Sequence, residues 1–110
     1  MLNSLLPHYK IEKAMNYTTP SCIIQKEDIP TLKFSKTDIL KSPKKRNLRA
    51  YYLSRATKLG NLLKNKVTIY FKDHTNQSMQ VNTTIWAVTS NFVVLKQGIT
   101  IPKRSITYID

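Results

Sequence analysis

Residues 66–110 run KVTIYFKDHTNQSMQVNTTIWAVTSNFVVLKQGITIPKRSITYID, and the spacing of apolar residues in this stretch decides the fold. Val67, Ile69 and Phe71 alternate with Thr68, Tyr70 and Lys72, a period of two that puts neighbours on opposite faces of a strand. Asp73 to Ser78 is a cluster of turn formers. A β-rich run follows from Met79 to Val88, and Thr89-Ser90-Asn91 is a short polar break. Phe92–Lys96, Ile99–Ile101 and Ser105–Ile109 are further strands, divided by the Gln97-Gly98 turn and the Pro102-Lys103-Arg104 link. Five short strands in 44 residues predict a small, strongly bent antiparallel barrel. Alternation sends Tyr70 to the outer face. Trp86 is expected in the core. Phe92 has two placements, outward beside the polar break or inward together with Val94.

Upstream the period changes. Ser42-Pro43 is a helix start, with Ser as N-cap and Pro at the first helical position. Leu48, Tyr52, Ala56, Leu59 and Leu63 then recur at spacings of three and four, one face of an amphipathic helix. The spacing predicts a helix from 43 to 64, with Gly60 as its weak point. Tyr51 and Tyr52 point about 100° apart, so only one can be core. The expected class is α+β: a basic helix followed by the five-stranded barrel, over residues 41–110. Residues 1–40 are expected to be an N-terminal extension, extended or partly disordered, since Pro20 and Pro30 interrupt regular structure. Met15 is a candidate second start. Ser35-Lys36-Thr37-Asp38 has capping-box spacing and predicts a turn or two of helix through Leu40.

Charge is concentrated in the helical segment. Nine of the eighteen Lys and Arg residues lie between Lys41 and Lys66 with no acidic residue among them, giving +9 of a net +12. The flanks carry only +1 (residues 1–40) and +2 (residues 67–110). Interleaved Leu and Tyr residues distinguish the segment from a solvated tail. Such a concentration fits a polyanion, and nucleic acid above all, because neutralising phosphates releases condensed counterions. Lys44, Lys45, Arg46, Arg49, Arg55 and Lys58 are the candidate contacts.

Little supports catalysis. His8 and His74 lie far apart in loop-like sequence, the six acidic residues form no spaced pair, and two glycines in all leave no phosphate-cradling loop. Cys22 with two histidines has no recognisable metal spacing and is expected as a small buried apolar residue. Neither enzyme activity, nor a metal, nor a cofactor is expected. No apolar run approaches the length of a membrane span, and MLNSLLPHYK lacks the pattern of a signal peptide. A cytoplasmic protein that does not engage membranes is expected.

The residues from Leu59 to Ile109 resemble the Sm-like family, and within it the bacterial Hfq RNA chaperones. LGNLLKNKVTIYF is similar to the end of that family's N-terminal helix and its first strand. TSNFVVLK is similar to its loop and third strand, and IPKRSITYI to its Tyr-Lys-His segment and last strand. The resemblance implies that Phe92 stacks on uridine near a central pore, with Asn91 before it, Lys103 reaching base and phosphate, and Arg104 in place of the histidine. It implies that Tyr70 stacks on adenine at the opposite face. It also implies a homo-oligomer joined edge to edge through the fourth and fifth strands. Several family features differ here. The glycine at which the second strand bends falls at Thr84, the loop aspartate at Ser90, and the tyrosine of Tyr-Lys-His at Pro102.

The expected function is binding of single-stranded, U- or A-rich RNA, as a post-transcriptional regulator or RNA chaperone. Two other readings fit the same residues: a DNA-binding protein that docks helix 43–64 in the major groove, and a ribosome-associated protein. SH3-like ribosomal modules have a similar strand count.

Overall fold

Each alternation becomes a strand in the computed structural model, which describes residues 21–63 and 65–110, with backbone alone at 59–63. The elements are β1 (Cys22–Ile23), a 3-10 turn (Lys26–Thr31), α1 (Pro43–Leu63), β2 (Val67–Lys72), β3 (Ser78–Thr83), β4 (Ile85–Val88), β5 (Phe92–Leu95), β6 (Thr100–Pro102) and β7 (Ile106–Ile109). They build a four-stranded sheet, ordered β1-β3-β2-β7, and a three-stranded sheet, ordered β4-β5-β6. β1 runs parallel to β3, and the other pairs are antiparallel. The α+β class holds. No ladder joins the two sheets, so they do not close into the expected barrel.

The expected second strand is split at Thr84, where the chain leaves the first sheet and enters the second. Thr84 is buried, and its carbonyl accepts the Lys96 N–H at 3.0 Å. Positive φ occurs among the described residues at Asn76, Gln97 and Gly98, not at Thr84. The bend therefore forms without the freedom of a glycine: one residue sits between two ladders. Just beyond it the β4–β5 register shifts between Ile85 and Ala87, leaving Trp86 as a bulge residue.

Inward residues of both sheets form the core, among them Ile69, Phe71, Val81, Ile85, Val93 and Leu95. Each such side chain stabilises the fold by about 1.5–3 kcal/mol through burial. Helix α1 starts where expected, with the Lys45 N–H donating to Ser42 Oγ at 3.4 Å, and it runs through Gly60. Its buried face differs from the expected stripe. Arg49, Leu53 and Ala56 are buried, whereas Leu48 is exposed; the Leu59 and Leu63 side chains lie outside the described residues. Packing the Arg49 guanidinium inward is possible because both of its terminal nitrogens are partnered, as shown below.

Residues 21–40 are part of the domain and not an extension beside it. Ile29 is 1% exposed within the core, and the Ile39 N–H bonds the Arg104 carbonyl at 3.0 Å. The expectations for residues 1–20, Met15 among them, lie outside the described residues. Ser35–Leu40 forms turns instead of a helix: Ser35 Oγ accepts the Thr37 N–H and Asp38 Oδ1 the Leu40 N–H. Cys22, expected to be buried, is exposed because β1 is an edge strand. Among the described residues no helix is long and apolar enough to cross a membrane.

Candidate nucleic-acid interface

At 100° per residue, Lys44, Leu48, Tyr51, Arg55 and Lys58 fall on one side of α1, opposite Arg49, Leu53 and Ala56. All five are exposed, and they extend over about 21 Å of helix. The Arg55 guanidinium lies 6.0 Å from the Tyr51 ring centroid. Lys44, Lys45, Arg55 and Lys58 take part in no ion pair among the described residues. Lys44, Lys45 and Arg46 stand in the first turn, where the helix dipole disfavours cations by about 0.3–1 kcal/mol each. This placement works against stability and suits an anionic ligand.

Two of the expected contacts are engaged inside the protein. Arg49 is 8% exposed. Its Nη1 and Nη2 donate to Asp38 Oδ1 and Oδ2 at 3.0 and 2.6 Å, and Nη1 also donates to the Ile106 carbonyl at 2.9 Å. It ties α1 to β7 and to the 35–40 turns, so Arg49 is corrected from a nucleic-acid contact to an internal clamp. Burial raises the Asp38 carboxyl pKa, but the Arg49 and Leu40 hydrogen bonds and the charges of Arg49 and Arg46 outweigh it. The result lies below the ordinary aspartate value. Arg46 is exposed but donates to the Leu40 and Lys41 carbonyls at 2.8 and 3.1 Å, bracing the entry to the helix.

On the sheet side the expected cluster is partly assembled. The Asn91 carbonyl accepts the Lys103 N–H at 2.9 Å, which sets Lys103 beside Asn91 and Phe92. Phe92 takes the outward placement at 42% exposed, while Val93 and Leu95 are buried. Lys103 and Lys58 line one groove of about 350 Å³ between α1 and the end of β4, together with Ser54 and Val88. Arg104 departs from this group: it is half-buried, and its Nε donates to the Ser35 carbonyl. Tyr70 is on the outward side of its strand but is half-buried and stacked on Tyr108 at 6.0 Å, so its ring is not open as expected.

Trp86, expected in the core, is 48% exposed. The signal was present: Met79, Val81, Thr83 and Ile85 alternate inward, which leaves residue 86 in the outward phase. Tyr51 is the ring that stands among the cations, at 57% exposed, whereas Tyr52 is half-buried. Among the described residues no group of three or more His, Cys, Asp or Glu side chains is placed to hold a metal ion. No protein-family model, curated protein or solved structure matches the chain.

Proposed function

We propose that this protein binds single-stranded RNA through the exposed stripe of α1, as a divergent Sm-like protein. The observation that carries this is the line of cations, Lys44, Arg55 and Lys58, which form no ion pair among the described residues and are interleaved with the exposed Tyr51. Cations along a helix track a phosphate backbone, and an exposed ring between them offers a face for unpaired bases. The bend at Thr84 supports the Sm-like part, since it stands where that family bends its second strand. β6 and β7 are the end strands of their sheets, which supports assembly through those edges; light scattering that finds only monomer at high micromolar concentration would refute it.

The test is the quadruple variant Lys44→Ala, Lys45→Ala, Arg55→Ala and Lys58→Ala. It is expected to weaken binding to every single strand and to flatten the salt dependence by about 0.7 log units per lost phosphate contact. An unchanged slope overturns the assignment. Tighter binding to duplex DNA than to single-stranded RNA of equal phosphate count would instead favour a major-groove helix.

A further inference from the structure

Opposite residues in an antiparallel ladder share a face. In the three-stranded sheet, Val88, Val93 and Ile101 face the core. Ala87, Val94 and Thr100 therefore form a row on the other face, and Phe92 lies farther along β5 on that same side. Trp86 follows the inward Ile85 in the outward phase, and the β4 bulge after Ile85 brings Ala87 to that same side. Strand dimensions separate Trp86 and Phe92 by about 10 Å. Neither ring contacts another aromatic ring among the described residues.

The charge around this face has one sign. From His74 to Ile109 there is no acidic residue. Lys96, anchored by its N–H on the Thr84 carbonyl, stands at the Trp86 end, and Lys103, anchored on the Asn91 carbonyl, at the Phe92 end. Lys103 also lines, with Lys58 of α1, the groove between the helix and the end of β4, so a cation of the sheet and a cation of the helix border the same groove. Open ring faces between cations fit flat apolar groups strung on an anionic backbone. A duplex hides its base faces. A second copy would bring its own net positive charge against these lysines.

We propose that Trp86 is the main base-stacking residue of this protein, forming with Phe92 a two-ring platform for unpaired bases while α1 holds the phosphates. This rests on the RNA reading above. Trp86 is the single tryptophan of the chain, so its emission reports on the platform directly. The full chain is titrated with 12-nucleotide uridine and adenosine strands, and with duplex RNA of equal phosphate count, while emission and the anisotropy of a labelled strand are followed. Single strands are expected to quench Trp86 saturably over the concentrations that raise anisotropy. The duplex is expected to leave emission unchanged. Trp86→Leu is expected to weaken single-strand binding about tenfold at an unchanged salt slope, unlike the helix variant. Full-affinity binding with unquenched emission and no loss in Trp86→Leu overturns the platform and leaves the RNA reading standing. Absence of binding to any single strand overturns both. An emission shift that tracks protein concentration and abolishes quenching by single strands shows that a second copy covers the face, beyond any assembly through the β6 and β7 edges, and also overturns the platform.

Discussion

Both sheets carry aromatic rings on outward positions, and the two sets are in opposite states. On the first sheet Tyr70 and Tyr108 sit opposite each other across β2 and β7 and stack at 6.0 Å and 28°. Tyr52 of α1 meets Tyr108 edge-on at 6.2 Å, and Tyr51 meets Tyr52 at 5.4 Å. Tyr70, Tyr108 and Tyr52 are spent on each other and on docking the helix, while Tyr51, which touches only the edge of this set, stays 57% exposed. Burial, with a contribution from the Asp110 charge, raises the Tyr70 hydroxyl pKa. On the second sheet Trp86 and Phe92 have no such partners among the described residues and are exposed. Strand phase alone does not make an aromatic available to a ligand. What the neighbouring element covers decides it.

The largest expected effect comes from breaking the covered set. Tyr108→Ala removes the ring that touches both Tyr70 and Tyr52. It is expected to destabilise the fold by about 2–3 kcal/mol, from lost burial plus two aromatic contacts. RNA affinity well below the melting temperature should not change. Urea unfolding and a binding titration on the same variant check both halves. A loss of affinity without a loss of stability would show that the first face is the binding face.

The same contrast exists between two arginines of α1, one covered and one open. Arg49→Met leaves Asp38 without its partner and is expected to cost about 2 kcal/mol of stability. Arg55→Met should change stability by less than about 0.5 kcal/mol and should lower RNA affinity. Equal stability losses in the two variants would remove the distinction.

The helix start and most strands were legible because their signals are local: Ser42-Pro43 for the cap, a period of two from Val67 to Lys72, and β-rich runs between polar breaks for the rest. The break at Thr84 was not legible: residues 79–88 read as one β-rich run, and without a glycine nothing in it marks the point where the chain changes sheets. The role of Arg49 was not, because its partner Asp38 lies eleven residues upstream in a segment whose spacing resembled a capping box. The division into two sheets was not, since closure depends on ladders between distant strands. Tyr70 was assigned to the correct side of its strand, but its cover comes from β7 and α1. Trp86 is the opposite case: alternation from Met79 pointed it outward, and its residue type argued for the core. For an aromatic next to a bulge, phase was the better guide.

The clamp behind the covered set has a pH signature. The Asp38 carboxyl has a folded pKa below its unfolded value. Its contribution is therefore fully present above the unfolded pKa of about 3.9 and is lost as pH falls through the folded value. Thermal melts of wild type and Asp38→Asn should differ by a constant amount from pH 7 to about pH 5 and converge below about pH 4. A difference that persists undiminished at pH 2 would mean that the carboxylate's charge is not what Arg49 needs.

The smallest expected effect compares one turn from each sheet. Asn76, in the β2–β3 hairpin of the first sheet, has φ 71°, and Gln97, in the β5–β6 connection of the second, has φ 70°. Asn tolerates the left-handed region, and the Asn76 turn is further held by Asp73, whose carboxylate accepts the Thr75 and Gln77 N–H groups at 2.9 and 3.0 Å. Gln has no such tolerance, and its Cβ costs about 1–2 kcal/mol there. Replacing it with glycine removes that cost but adds about 0.4–1 kcal/mol of unfolded-chain entropy. Gln97→Gly should therefore raise stability by about 0.5 kcal/mol, a gain of about 2–4 °C in melting temperature. Asn76→Gly should leave stability level or slightly lower, because the entropy term acts with little strain to relieve. RNA affinity should be unaltered in both, since neither side chain belongs to the helix stripe or to the Trp86 platform. A Gln97→Gly variant that melts below wild type would show that the second sheet's turn holds its left-handed residue without strain, and the two turns would then be equivalent.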